Sequence, residues 1–354
     1  MRGASNRGVS TVVDITLALL LISASVLLIG FHLDSSDEPV PDDRADQVLQ
    51  SLSATTSSVL YDITEENGAG VSTLESENFE PPGDLDSAER ESVYEVATYG
   101  SSIGLLADAA LTNLRIDGSQ RFAYGDAYED AVDHSIRGTH VGGEHHFYAV
   151  ATWAPYDGAS LNGTATAGRQ PPSTGDVSSA STTVTSGVPE LDPEELAREF
   201  EREETSDVGT PFIDDADTDG FDAVATVVAE SIVEGYFPFE NTQYSLESSL
   251  TERSVTVYNY KQLADPVDVT VDDHISGTSP DTATANETLV GDIDADNGLG
   301  DWIATDMRNG PVGEKITQTW HDSTADNVVE RLEETFEEVT SPETIDVTVQ
   351  AWDP

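Results

Sequence analysis

An uninterrupted apolar segment near the N-terminus constrains the fold more than any other feature. Residues 15–33 carry no formally charged side chain, and acidic residues follow from Asp34 onward. A helix rises 1.5 Å per residue, so a helix over this segment is roughly 28 Å long, close to the thickness of a bilayer's hydrocarbon core. The sequence therefore predicts a transmembrane helix over residues 9–33, with a short basic head over residues 1–8.

The charges on either side of this segment predict its orientation. Arg2 and Arg7 precede it, whereas acids follow it. The positive-inside bias then places the head in the cytoplasm and the bulk of the chain outside. A cleaved secretory signal is the competing interpretation, but its apolar region would be shorter and would end at a small-residue cleavage site. We expect a single-pass protein of the cell membrane, with the lipid bilayer as a partner.

The charge of the whole chain favours a folded, salt-adapted domain. The formal net charge is -53, from 68 acidic and 15 basic residues. A disordered acidic chain is one interpretation. A halophilic protein is the other, because molar salt shortens the Debye length to about 3 Å. The 37% hydrophobic content favours a buried core, and the acidity argues against a nucleic-acid partner.

The pattern of apolar residues predicts an acidic α+β protein after the membrane segment. A near-continuous apolar run over 146–153 indicates a strand, and alternation over 345–351 indicates another. Asp192, Pro193 and Glu195 form a capping box that begins a helix. Further patterns predict helices over 93–114, 221–234 and 326–338, and strands over 253–262 and 266–271.

These elements suggest an order of domains along the chain. We expect a stalk helix over 34–66, a first α+β module over 67–160, a polar linker over 161–190 and a second α+β module over 191–354. The motif V-x-x-W-x-P occurs at 150–155 and again at 349–354. Either two related halves arose by duplication, or two strand ends coincide by chance.

The N-terminal residues carry a more specific pattern. Arg7 and Gly8 are followed by Val9, and Asp14 stands at the start of the apolar run. This stretch resembles the class III signal of archaeal type IV pilin-like proteins. The resemblance implies cleavage by a prepilin peptidase after Gly8, a mature chain beginning at Val9, and an Asp14 carboxylate that assembles with other pilin-like or secretion subunits. The alternative is that Asp14 only caps the helix, where the helix dipole favours an anion.

The layout as a whole also resembles haloarchaeal membrane-anchored proteins of unknown function. The similarity is carried by the Arg-Gly head, the Thr-Val-Val-Asp opening of the apolar run, the segment at 104–110 and the Ala-Thr-Trp-Ala-Pro-Tyr turn. It implies a surface protein and no catalytic residues.

Two acidic triplets are candidates for calcium. Asp215, Asp217, Asp219 and Gly220 copy the first half of a calcium loop, but the glutamate expected at its twelfth position is absent. Residues 292–296 repeat the alternation without the glycine. In so acidic a chain, solvated loops are the alternative. The sequence otherwise predicts no cofactor.

No motif predicts an enzyme. The histidines at 140, 145 and 146 lie around a Gly-Gly turn rather than a helix, which argues against a zinc site. Asn162 and Asn286 begin N-x-[ST] sequons and are candidate glycosylation sites. The sequence thus favours a non-enzymatic, membrane-anchored cell-surface protein of pilin-like or pseudopilin-like type. An anchored module that binds ions or small solutes is the alternative, and an extracellular hydrolase is the least favoured.

Overall fold

The computed structural model describes residues 43–63, 95–139, 145–206, 218–248, 251–276, 279–291 and 297–353. Helices and strands are mixed throughout these residues, which confirms the predicted α+β class. The strands are β1 Thr56–Asp62, β2 Glu95–Ser101, β3 Arg115–Ile116, β4 Ser119–Gln120, β5 His146–Trp153, β6 Leu161–Gly168, β7 Ser178–Thr185 and β8 Thr344–Trp352.

The helices fall into an N-terminal set around the sheet and a longer run between β7 and β8. The first set is α1 Arg44–Ala54, α2 Ser102–Thr112 and α3 Gly125–Thr139. The second set is α4 Pro193–Ser206, α5 Thr218–Tyr236, α6 Phe239–Glu247, α7 Thr251–Ala264, α8 Asp272–Ile275, α9 Thr282–Val290, α10 Gly298–Asn309, α11 Pro311–His321 and α12 Val328–Val339.

A six-stranded antiparallel sheet organises the fold. Its strand order is β4-β3-β6-β5-β8-β7, and β1 and β2 form a separate two-stranded sheet. Burial alternates along β5 and β8, so that Ala149, Ala151, Val347 and Val349 face the core. This period of two is the strand signal that the sequence carried. The alternate residues lie on the opposite face of the sheet, where Thr152 and Asp346 are exposed.

Helix α2 packs closely against the inner face of β5 and β6. A Cβ atom at Gly163 would lie 2.0 Å from the Ala110 carbonyl oxygen, so only glycine fits at this point of β6. The helices between β7 and β8 pack mainly on one another, with α5 against α10 and α4 against α12. Phe200 at the centre of α4 makes edge contacts with Phe221, Phe336 and Trp320.

The transmembrane part of the predicted fold class is corrected. Residues 9–33 lie outside the described residues, and no helix in the described part of the chain is long and apolar enough to cross a membrane. The longest described helix is α5, and Asp222, Glu230 and Glu234 interrupt its apolar residues. The fold class that the described residues support is α+β.

Several element predictions are confirmed and others are wrong. Strand β5 occupies the predicted residues 146–153, and β8 covers the predicted final strand. The Asp192 carboxylate accepts a hydrogen bond from the Glu194 N–H at 3.0 Å, as expected of a helix cap. The strand predicted over 253–262 is wrong, because this stretch is helix α7. The short apolar alternation of this stretch fits either a strand or a helix. Stacking of Tyr260 on Phe237, with ring centroids 3.7 Å apart, stabilises the helical form.

The predicted domain boundaries can be compared with the sheet. The predicted stalk region contains α1 followed by strand β1, and the predicted polar linker contains β6 and β7. Strand β8, from the predicted second module, pairs along its length with β5, from the predicted first module. The duplication itself stays a prediction.

Candidate functional site

Charged residues from distant parts of the chain meet where α1 begins. The Arg44 guanidinium contacts Asp353 Oδ2 at 3.0 Å and Asp176 Oδ2 at 3.2 Å. His145 Nδ1 lies 3.1 Å from the other carboxylate oxygen of Asp353. We call Arg44, His145, Asp176 and Asp353 the junction. It joins the first described helix to the ends of β5 and β8.

Backbone hydrogen bonds continue the junction into the sheet. The Ala45 N–H donates to Ser178 Oγ at 3.0 Å, and the Ser178 hydroxyl donates to the Ala351 carbonyl at 3.3 Å. The first N–H groups of a helix have no partner within the helix, so Ser178 satisfies one that would otherwise be buried unpaired. Ala45 is fully buried, and Val48 and Leu52 follow it on the same face. The first turn of α1 is therefore fixed to β7 and β8.

The charges of the junction favour a role in holding α1 in place over a role in catalysis. The Arg44 side chain is 15% exposed, whereas that of Asp353 is 71% exposed. A guanidinium stays charged at any ordinary pH, so the pair with Asp353 persists. An exposed carboxylate is screened by solvent and salt, so the pair is worth about 1 kcal/mol or less. The arrangement contains no nucleophile paired with a base.

A second polar arrangement lies at the opposite end of the same strands. The Tyr156 hydroxyl donates to Asp306 Oδ2 at 2.6 Å, and the Ser160 N–H donates to the same oxygen at 3.0 Å. Burial raises the pKa of Tyr156 well above its ordinary range, and the hydrogen bond to Asp306 adds to the effect. The phenol therefore stays protonated. This contact ties α10 to the turn between β5 and β6.

A cluster of tyrosines lies between β1 and α3. The Tyr61 and Tyr128 ring centroids are 4.6 Å apart, and Tyr124 lies 6.3 Å from Tyr61. Burial raises the pKa values of Tyr124 and Tyr128, and desolvation also raises that of the neighbouring Asp108 carboxyl. Within the described residues, no group of three His, Cys, Asp or Glu side chains could hold a metal ion. The cluster serves packing.

Comparison with known proteins gives a family and no function. Residues 13–352 match a family described as a family of unknown function, DUF7284. The chain belongs to the DUF7284 family. Searches among curated proteins and among solved structures found no match. The function must therefore be argued from the residues of this DUF7284 protein.

The predicted assembly and calcium residues fall mostly outside the described part. Gly8, Val9, Asp14, Asp215 and Asp217 all lie outside it. Asp219 lies in the first turn of α5, so this end of the predicted calcium loop is helical. Calcium binding by this segment stays a prediction.

The structure places the two sequon asparagines in different settings. Asn162 lies in β6, and its Nδ2 donates to the Ala159 carbonyl at 3.1 Å. Asn286 lies in α9, where its Nδ2 donates to the Phe237 carbonyl at 3.0 Å and its Oδ1 accepts from the Tyr260 hydroxyl. Glycosylation of either asparagine stays a prediction.

The structure describes two of the three histidines around the Gly-Gly turn. His146 begins β5, and its ring lies 6.1 Å from that of Trp352. His145 joins the junction through Asp353. His140 and Glu144 lie outside the described residues.

Sequence reasoning missed the junction as a whole. Arg44 and Asp353 are 309 positions apart in the chain, as 353 minus 44 gives. Neither residue belongs to a local motif, and pairing of β5 with β8 is what brings His145 to Asp353. The available signal was the scarcity of arginine in an acidic chain, which makes each arginine a candidate for a specific contact.

Proposed function

We propose that this DUF7284 protein is a non-enzymatic cell-surface subunit of pilin-like type. On this proposal, the residues before the junction carry the processing and assembly functions, and the described α+β part is the exported head. The junction is the observation that carries the proposal. It fixes Arg44 and the first turn of α1 to the ends of β7 and β8.

The design of α1 supports a role in fixing the head. An isolated helix of 11 residues is marginally stable in water. Its order therefore depends on packing, and α1 contacts β7, β8 and α2. A pull on the backbone at Arg44 would pass through Asp353 and Ser178 into the sheet. A subunit whose N-terminal segment assembles with neighbours needs such a connection.

The charge of the protein agrees with a location at the surface of a cell in molar salt. The formal net charge of -53 would oppose the packing of many subunits at low ionic strength. Molar salt reduces the range of this repulsion to about 3 Å. Assembly is therefore expected to require high salt.

The N-terminus of the native protein tests the proposal directly. We expect intact-mass and N-terminal analysis of the protein from a haloarchaeal host to give a mature chain that begins at Val9. A chain that retains Arg2 and Arg7 would contradict the pilin-like proposal. The Gly8→Val variant should block processing, because the peptidase requires a small residue before the cut.

Assembly provides the second test. We expect Asp14→Ala to abolish recovery of the protein in high-molecular-weight surface assemblies while the head folds normally. Asp34→Ala is the matched control, because it removes an acid just beyond the same apolar segment. Equal assembly of both variants and the unchanged protein would show that Asp14 has no part in it.

A further inference from the structure

A polar cavity opens on the outer face of the six-stranded sheet, at the end opposite the junction. Its volume is about 240 Å³. Side chains from β5, β6 and β8, together with the turn after β5, line it. The polar lining side chains that matter here are Thr152, Asp157, Asn162, Thr164, Thr344 and Asp346.

Strand register places these groups side by side. Thr152 pairs with Thr164 on one neighbouring strand and with Asp346 on the other. Side chains opposite each other on adjacent antiparallel strands lie about 4.5–5.5 Å apart at Cβ. All three residues are exposed, so a carboxylate and two hydroxyls form a row across three strands. The cavity is built by the most regular part of the fold.

Buried aromatic residues form the floor of the cavity. Trp153 and Tyr156 line it with 1% and 2% exposure, and the Trp153 Nε1–H donates to the Pro342 carbonyl at 2.7 Å. Gly158 and Gly163 also line the cavity, and each lies where the chain packs closely against another element. Gly158 has a φ of +77°, where a side chain would be strained, and a Cβ there would lie 2.9 Å from Pro311. Preformed walls lower the entropic cost of binding.

The chemistry of the lining selects a class of ligand. It offers carboxylate, amide and hydroxyl groups, and the residues that line it include no lysine, arginine or histidine. Such a lining disfavours anions. Carboxylates accept charge-assisted hydrogen bonds from ligand hydroxyls, and threonine hydroxyls and an amide both donate and accept. The volume is below the roughly 300–1,000 Å³ of pockets for drug-sized ligands, so one small ring fits.

We propose that this cavity binds one ring of a neutral sugar. The sugar hydroxyls donate to Asp346 and Asp157 and exchange hydrogen bonds with Thr152 and Thr164. A sugar ring of this chemistry can come from either of two sources. It is either a free saccharide from outside the cell or the first residue of a glycan attached to Asn162, which lines the cavity and begins a sequon.

The attached source requires a group transfer. In that step, the Asn162 side-chain nitrogen forms a bond to C1 of a sugar carried by a polyprenyl phosphate. The bond from C1 to the phosphate oxygen breaks, the lipid phosphate leaves, and the amide nitrogen loses a proton. Asn286 is the natural comparison. The Asn162 amide nitrogen donates to the nearby Ala159 carbonyl, whereas the Asn286 amide is held at both its nitrogen and its oxygen, by the Phe237 carbonyl and the Tyr260 hydroxyl.

The first arm of the test uses the full-length chain made in a host without N-glycosylation. Neutral hexoses and calcium chloride are titrated separately in molar salt and followed by calorimetry. For a free-saccharide ligand we expect saturable hexose binding that Asp346→Asn weakens by about tenfold or more, because a charge-assisted hydrogen bond is lost. Ser179→Ala, which is exposed on β7 and pairs with Gln350 away from the cavity, is the matched control and should bind normally.

The second arm uses the protein from a haloarchaeal host. For an attached ligand we expect a glycan mass that Asn162→Gln removes and Asn286→Gln retains. The two arms separate the two sources, and a positive result in either supports the proposal. Absence of hexose binding together with absence of a glycan at Asn162 would overturn it. Saturable calcium binding lost in Asp346→Asn, without either sugar result, would also overturn it. Neither arm depends on cleavage at Gly8.

Discussion

The two ends of the β5–β8 strand pair show how one sequence motif can serve two different surfaces. Both strands end in V-x-x-W-x-P, and antiparallel pairing sends the two tryptophans to opposite ends. At one end, Trp352 lies beside the junction, where Arg44 and Asp353 form an ion pair. At the other end, Trp153 lies beneath an open polar cavity. The partners supplied by the rest of the chain make the difference.

The two tryptophans are held by different forces. Trp153 donates a hydrogen bond to the Pro342 carbonyl, and its ring lies 6.3 Å from that of Tyr236. Trp352 lies 6.1 Å from the His146 ring. The cavity end is therefore fixed by buried aromatic packing, whereas the junction end also relies on charge. Perturbations of burial and of charge should separate the two ends.

Alkaline pH should have the largest effect, and two of the buried tyrosines that it titrates lie at the cavity end. Burial raises the pKa values of Tyr156 and Tyr236 well above the ordinary 10.0. Their stabilisation is complete below pH about 10, where the unfolded chain is also protonated, and is lost as the pH rises from there toward the folded pKa values. We expect cooperative unfolding with simultaneous phenolate absorbance. Early phenolate absorbance without unfolding would contradict the assigned burial.

Removal of the tryptophan at the cavity end should have the next largest effect. We expect Trp153→Ala to lower the free energy of unfolding by about 3–5 kcal/mol, because a buried ring and a hydrogen bond are lost. Trp352 is 7% exposed against 1% for Trp153, so Trp352→Ala should cost less. Denaturant unfolding in molar salt measures both values. Equal losses would show that the two ends are held alike.

The close approach of β6 to α2 should be sensitive to a single methyl group. We expect Gly163→Ala to destabilise by about 1–3 kcal/mol, because the new Cβ overlaps a backbone oxygen that cannot rotate away. Gly138→Ala in α3 is the control, because nothing lies within 4 Å of its Cβ position. Gly138 lies in the last turn of α3, so alanine there should stabilise by less than the about 1 kcal/mol of a helix interior. Thermal unfolding of both variants checks the sign of each change.

Loss of the junction charge should have the smallest effect on stability. We expect Arg44→Gln to cost about 1 kcal/mol or less, with a loss that shrinks as salt is added. Lys315→Gln, which breaks the exposed pair with Glu338, is the matched control and should cost less still. Hydrogen exchange in α1 should rise in Arg44→Gln only. An equal rise in hydrogen exchange in both variants would show that the junction does not specifically hold α1 in place.

Local patterns explain how much of the fold could be predicted from the sequence. Strand β5 and the cap of α4 depend on neighbouring residues, so periodicity and the Asp192 side chain were sufficient. Helix α7 was predicted as a strand because a short apolar alternation fits either element. Contact of Tyr260 with Phe237 and Asn286 decides for the helix. The junction and the cavity were not predicted, since each joins residues from strands far apart in the chain.

The sequence by itself determined the α+β class, the acidity and the positions of the locally signalled strands and helices. Those properties follow from composition and from contacts within a few residues. Only the tertiary structure decided that β5 and β8 are central neighbours, that Arg44 contacts Asp353, and that Thr152, Thr164 and Asp346 share one face. Pairing of strands depends on burial summed over the whole sheet, and no local stretch of the chain contains that information.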